Sequence, residues 1–251
     1  MSQRQRQQRQ RKSLAKELEE NKIVLQELFK ADVDITYREL TVGGREALIV
    51  YIADLIDSSY LSSTVIKPLM ELSFFHQEQE KEITLEYLYK NVLSTSKVDL
   101  ANDFEDVTKG ILAGQGILFL EGSCEALLLS TKAENLRAIE PPVTEVNVRG
   151  PREGFVEDIG VNVSMLRRKL KNENLRLEEF NIGERTSTVV YLAYIEDLVK
   201  PQLVEEVRQR IQRIEIKGVL DSGYIEQIID DNPKSFFPTV GSTEKPDKLA
   251  G

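Results

Sequence analysis

Ala47-Leu48-Ile49-Val50-Tyr51-Ile52-Ala53 is an unbroken run of seven apolar residues, and its reading decides the fold. A run this short cannot cross a membrane, which takes about 20 residues. Without polar alternation it is what a central strand buried on both faces requires. Just before it, Val33-Asp34-Ile35-Thr36-Tyr37-Arg38-Glu39-Leu40 alternates apolar and polar residues, as a strand with one wet face does. Gly43-Gly44 accepts positive φ and predicts the hairpin turn between them. The run has a counterpart in Val189–Ile195, also seven residues long. Tyr51-Ile52-Ala53-Asp54-Leu55-Ile56 matches Tyr194-Ile195-Glu196-Asp197-Leu198-Val199. Each copy follows a helix, a strand and a Gly-containing turn, and each precedes a helix. One helix–strand–turn–strand–helix unit used twice predicts two related α/β subdomains.

Outward from the first run, a helix is expected over about 13–30, with Ser13 as its cap and Leu14, Leu18, Val24, Leu25 and Leu28 as a partial apolar stripe. Asp32 breaks that pattern. Downstream, helices are expected over about 59–72, interrupted by Pro68, and over 84–93, capped by Thr84. A short strand at 97–100, a helix at 104–112, a turn at 114–116 and a hairpin of 117–120 with 125–130 follow. In the second half, helices are expected over 158–171, 201–214 and 222–231, with strands at 175–182 and 189–195 and a turn at Gly183. Pro201 suits a first helical position. Ile139-Glu140-Pro141-Pro142-Val143 is the best boundary in the chain, because two prolines favour extended backbone and donate no ladder hydrogen bond. The expected organisation is a basic tail and helix over 1–30, an α/β subdomain over 31–140, a second over 145–240 and a tail over 241–251. The fold class is α/β: two subdomains with mixed sheets, joined by a proline-containing linker and separated by a cleft.

Composition excludes whole classes of chemistry. The chain has 251 residues, 41% of them apolar and 30% charged, a globular composition. Cys124 is the sole cysteine and His76 the sole histidine. One chain therefore forms no internal disulfide and no Cys₄ or Cys₂His₂ zinc site, and a histidine-based triad has one residue to draw on. A reducing, intracellular compartment is the expectation. Net charge is −9, with +5 in residues 1–12 and −14 in the remainder. So acidic a body is a poor surface for duplex nucleic acid, and no nucleic-acid partner is expected. The basic arm reads either as a solvated tail or as a contact for anionic lipid.

No phosphate loop, metal spacing or acid–base pair stands out, so no catalytic residue, metal or cofactor is expected and the chain is read as a non-enzyme. Asp54 and Asp197 fall at corresponding strand ends, where open α/β sheets tend to bind ligands; a helix cap is the plainer reading. Val148-Arg149-Gly150-Pro151-Arg152-Glu153-Gly154-Phe155 is the most unusual stretch. Two glycines and a proline fix a loop from which Arg149 and Arg152 project beside Glu153, and arginine forks take carboxylates or phosphates in two-pronged fashion. Pairing with neighbouring acids is the alternative. Asp221-Ser222-Gly223-Tyr224 opens the last helix, where capping or a ligand at the free N–H groups are both open.

The arginine loop resembles the signature of the A subunit of bacterial spore germinant receptors. The resemblance continues through Asn162, Leu166-Arg167-Arg168, Ile182-Gly183-Glu184-Arg185-Thr186, Tyr194-Ile195, Val204-Glu205-Glu206-Val207, Leu220-Asp221-Ser222-Gly223-Tyr224-Ile225-Glu226 and Thr243-Glu244-Lys245-Pro246-Asp247-Lys248. It covers most of 145–250, and residues 1–140 resemble the family more loosely. The resemblance implies a soluble N-terminal region on the cytosolic side of the spore inner membrane. It implies a membrane part beyond Gly251, and B and C subunits and other A subunits as partners.

The expected function is participation in nutrient sensing and signal transmission that triggers germination. A small nutrient (an amino acid, sugar or nucleoside) would sit in the inter-subdomain cleft against Arg149, Arg152, Glu153, Asp54 and Asp197. Gly150, Pro151, Gly154, Ser222, Gly223 and Tyr224 would shape the motif loops. The alternative is a ligand-free assembly domain, with the nutrient held by a partner subunit.

Overall fold

In the computed structural model, which describes residues 12–30, 32–75, 83–131, 153–219, 221–230 and 239–251, the apolar run lies in strand β2 (Arg45–Ile52). It pairs along its whole length with β1 (Ile35–Val42), from Ile35↔Ile52 to Val42↔Arg45. Gly43 and Gly44 turn the hairpin at φ 53° and 82°. The positive φ at Gly43 favours glycine, and a Cβ there would also have to displace the terminal methyl of Ile83. With β3 (Val98–Ala101), β4 (Gly116–Leu120) and β5 (Ala126–Leu129), the sheet has the order β1-β2-β4-β5-β3.

The α/β class holds, while the strand pairing differs from the mixed sheets expected: every described ladder is antiparallel. The apolar run reported two buried faces, and that condition does not require parallel neighbours. Leu48, Val50 and Ile52 face a core shared with α1 (Leu18–Leu28). Phe104, Val107 and Ile111 of a second helix, numbered α5 below, complete that core. Ala47 and Ile49 face the opposite core, built by Leu61, Val65, Leu69, Leu85 and Leu88. A five-stranded sheet with helices on both sides is the result, and it explains why β4 and β5 are buried at every position.

The helices follow local chemistry. Residues 58–75 run as α2 (Ser58–Leu61), a π turn (Ser62–Ile66) and α3 (Lys67–Phe75). Pro68 has no N–H to give the Thr64 carbonyl. Ser94 N–H fills that vacancy at 3.2 Å, and the chain absorbs the proline as a wide turn instead of stopping. Thr84 caps α4 (Leu85–Asn91), accepting from Tyr87 N–H, and Asp103 caps α5 (Phe104–Leu112). Ser13 does not cap α1 as expected. It bridges to Asp103, and the helix starts only at Leu18, behind Glu17.

Two compact units divide the chain: Met1–Lys30, Asp34–Ala138 and Lys171–Glu173 in the first, Ala31–Val33, Ile139–Leu170 and Asn174–Gly251 in the second. The expected boundary at 139–143 lies outside the described residues. The second unit contains α6 (Ile159–Lys169), the hairpin β6 (Leu175–Ile182) with β7 (Thr188–Ile195), α7 (Pro201–Gln212), α8 (Ser222–Ile229) and α9 (Pro246–Ala250). Residues 246–250, expected in a tail, are thus helical, and α9 packs against α6. β7 was expected to be buried like β2, yet none of its residues is fully buried. Among the described residues β7 pairs only with β6, so the same apolar pattern sits in a thinner layer. Ile182, Ile211 and Val219 centre the small core between hairpin and helices.

The internal repeat extends to single hydrogen bonds. Asn21 and Asn162 each stand fourth in their helix. Asn21 Oδ1 accepts from Ala15 N–H at 2.9 Å and its Nδ2 donates to Ala15 O at 2.8 Å. Asn162 does the same with Val156 at 2.8 and 2.7 Å. Beyond the hairpins, Ala53 N–H bonds Asp34 O and Glu196 N–H bonds Asn174 O, both at 2.9 Å. Each asparagine ties the incoming chain to its helix. Asn162→Ala is expected to cost about 1–3 kcal/mol, two hydrogen bonds' worth, in chemical denaturation. Asn21→Ala, 1% exposed, should cost at least as much. A loss below ~0.5 kcal/mol at both sites would contradict the clamp.

Candidate functional site

The motif residue Arg167 is built into the second unit's framework. Arg167 of α6 and Arg176 of β6 are almost fully buried, and both reach Asp32. Arg167 Nη2 lies 3.3 Å from Asp32 Oδ1 and Arg176 Nη1 lies 3.2 Å from Oδ2. Leu177 N–H also donates to Oδ1 at 3.2 Å. Arg176 turns its Nε and Nη2 onto Glu196 Oε2, at 3.0 and 2.7 Å, and Arg167 Nη1 donates to Leu175 O at 3.2 Å. Two cations and two carboxylates neutralise one another, with Asp32 and both arginines buried and Glu196 at the partly exposed edge, and the charge-assisted bonds offset the desolvation of the buried groups. The sequence showed Asp32 only as a break in a helical pattern. Its partners are 135 and 144 residues away in sequence, so no local signal announces them.

The loops follow the same logic. Gly183 adopts φ 91°, and a Cβ there would meet Thr186 Oγ1 at 2.5 Å. Glu184 and Arg185 N–H groups bond Ile216 and Lys217 carbonyls, and Val219 N–H bonds Thr186 Oγ1. Asp221 caps α8 by accepting from Gly223 N–H at 2.9 Å. Tyr224 is half exposed.

A second polar network covers the hairpin. Arg208 of α7 grips Glu178 through Nε and Nη2 at 2.8 and 2.7 Å, and Tyr194 OH donates to the same carboxylate at 2.7 Å. The Arg208 hydrogen bond, against the opposing effect of burial, holds the Glu178 carboxyl below its ordinary range. Burial first, then the Glu178 bond, push the Tyr194 hydroxyl up to about 12. A carboxyl lowered by folding adds stability above its unfolded pKa, and loses it as pH falls through the folded value. Glu178→Gln is therefore expected to flatten the acid limb of the stability profile, and an unchanged slope would contradict this. For Tyr194 the sign is opposite, with stability present below its ordinary pKa and fading as pH rises towards 12.

Of the ligand-contact residues expected from sequence, Arg149, Gly150, Pro151 and Arg152 lie outside the described residues, as does His76. Glu153 pairs with Lys169 Nζ at 2.8 Å. Gly154 is buried, and Phe155 N–H bonds Glu244 O at 2.8 Å. Asp54 falls in the 3₁₀ turn after β2, in the first unit, and exposed Asp197 falls after β7 in the second. Cys124 is free and exposed. A groove of about 490 Å³ in the first unit is lined by Glu17, Lys22, Glu39, Thr41, Glu46 and Glu121, among others. None of the ligand-contact residues expected from sequence lines it. Lys22 is already held by Glu39 at 2.5 Å, and Glu121 accepts from Leu18 N–H at the start of α1. Among the described residues no group of three or more His, Cys, Asp or Glu side chains is placed to hold a metal, and no helix is long and apolar enough to cross a membrane.

The fold is thus two α/β units with antiparallel sheets, the second framed by the buried Arg167–Asp32–Arg176 cluster. The chain belongs to the Bacillus/Clostridium GerA spore germination protein family, whose family model matches residues 23–251. It is similar to the uncharacterized membrane protein YfkQ of Bacillus subtilis, 37% identical over 93% of this chain and 45% of that protein. It is also similar to B. subtilis spore germination protein KA, 33% identical over 95% of this chain and 43% of that one. The chain thus spans less than half the length of these relatives. The crystal structure of the N-terminal domain of the A subunit of the Bacillus megaterium spore germinant receptor GerK3 superimposes with TM-score 0.71 and 29% identity, over 95% of this chain and 88% of that one.

Proposed function

We propose that the chain is the sensing and transmitting N-terminal domain of a germinant receptor A subunit, on the cytosolic side of the spore inner membrane. It works there with B and C subunits and with other A subunits. The observation that carries this is the match across nearly the whole chain to the GerK3 A-subunit domain. The family resemblance to a membrane protein twice as long supports a membrane-embedded remainder. The nutrient, an amino acid, sugar or nucleoside, contacts Arg149, Arg152 and Glu153. An arginine fork takes a carboxylate and an acid takes an ammonium. No step of catalysis is involved: binding favours one conformation by its affinity difference, and the membrane part reads the change.

Arg152→Ala in the full-length protein tests this reading in spores. Loss of the nutrient response with receptor level and fold unchanged supports it, and an unchanged response removes the arginine loop from recognition.

A second reading, a ligand-free assembly domain, is favoured by exposed apolar side chains in the second unit. Leu198, in the loop after β7, and Leu203, Tyr224 and Leu249, on α7, α8 and α9, are each at least half exposed. Sedimentation over a concentration series separates the two, since self-association in nutrient-free buffer supports assembly.

A further inference from the structure

We propose that Arg167 and Arg176 form a carboxylate receptor whose resident anion is the chain's own Asp32, the side chain of which is seated as a ligand would be. The geometry is that of anion recognition. Each carboxylate oxygen of Asp32 meets a different guanidinium, at 3.3 and 3.2 Å, and Oδ1 also takes the Leu177 N–H. The arginine side chains are 0% and 2% exposed and the Asp32 side chain is 0% exposed. The receptor is held from behind: Glu196 engages Arg176 by two bonds, and Leu175 O fixes Arg167. These contacts orient both guanidinium groups without help from Asp32. Withdrawing Asp32 leaves Arg167 facing the gap without that carboxylate, and a free carboxylate of the right size restores the charge balance. The seat therefore recognises the small carboxylate class, and the inference is independent of where the nutrient binds.

Size gives the test its signature. Asp32→Gly removes a CH₂–COO⁻ group, which acetate replaces atom for atom, whereas Asp32→Ala removes a carboxylate alone, which formate replaces. The full 251-residue chain is made as both variants. Thermal midpoints are followed in sodium formate, acetate, butyrate and chloride at equal ionic strength. A ligand binding only the folded state at ten times its Kd raises the midpoint of a chain this size by about 3–6 °C. The expected order is acetate first for Asp32→Gly and formate first for Asp32→Ala. Butyrate should match chloride, and the native chain should show no carboxylate-specific rise. If a variant is unfolded in chloride, the readout becomes the folded fraction recovered on dialysis into each salt. Adding Arg167→Met to Asp32→Gly should abolish the acetate effect. Equal response to all four salts, or recovery in none of them for both variants, overturns the proposal.

Discussion

Asp32→Ala is expected to lower the stability of this chain by about 3–5 kcal/mol, the range for removing one partner of a buried ion pair. The reason lies in what remains. Arg167 and Arg176 are buried and have oriented nitrogens aimed at the missing oxygens, and Glu196 pairs with Arg176. Leaving a buried cluster one negative charge short costs far more than the lost contact itself. Asp32→Asn should fall between native and alanine, since the amide keeps one acceptor and loses the charge. A related outcome concerns fragments. Residues 31–33 are counted with the second unit, so a chain beginning at residue 139 lacks its central carboxylate and should not reach a folded state. Urea denaturation measures the first effect, and amide dispersion in a nitrogen–proton spectrum measures the second. A loss below about 1 kcal/mol, or a well-dispersed fragment, would show that the cluster is not the second unit's keystone.

Leu48→Ala and Ile49→Ala should each cost about 2–5 kcal/mol, although they are neighbours on one strand. Adjacent strand residues point to opposite faces, and in a sheet covered on one side only one of the two would matter. Here Leu48 faces the core of α1 and α5, and Ile49 faces that of α2, α3 and α4. Both are essentially unexposed. The equivalent pair on β7, Tyr191 and Leu192, should behave asymmetrically. Leu192 packs on the small core while the Tyr191 hydroxyl reaches Glu179. Chemical denaturation of the four alanine variants checks this. Similar losses at Tyr191 and Leu192, or a negligible one at either Leu48 or Ile49, would refute the layered arrangement.

These pairs show which parts of the fold are legible in sequence. Periodicity located β1, β2, β6 and β7 to within two residues, because burial and pleat leave a mark at every second position. Caps were legible at Thr84 and Asp221, where a polar residue precedes an apolar helix. Ser13 misled because its position suits a cap, whereas the chain uses it to bridge Asp103. Strand order and direction were not legible, since an apolar run records how many faces are covered and is silent about the neighbour's direction. The same limit explains β7, whose pattern matches β2 while its surroundings do not. Of the site, the sequence drew attention to the Arg149–Arg152 loop and passed over Arg176 altogether. Aligning the two repeats would have exposed Asn21 with Asn162, a polar residue at one helical position in both copies. Asp32 has no such counterpart, and its pairing depends on tertiary structure alone.

The proposal with most at stake is that this domain itself meets the nutrient. A titration of the chain with amino acids, sugars and nucleosides, followed by nitrogen–proton NMR, tests it most directly. The account predicts saturable shifts for at least one compound, clustered at residues 149–153 and abolished by Arg152→Ala. A flat response to every compound at millimolar concentration, the weak end of specific binding, would contradict it and place recognition on a partner subunit.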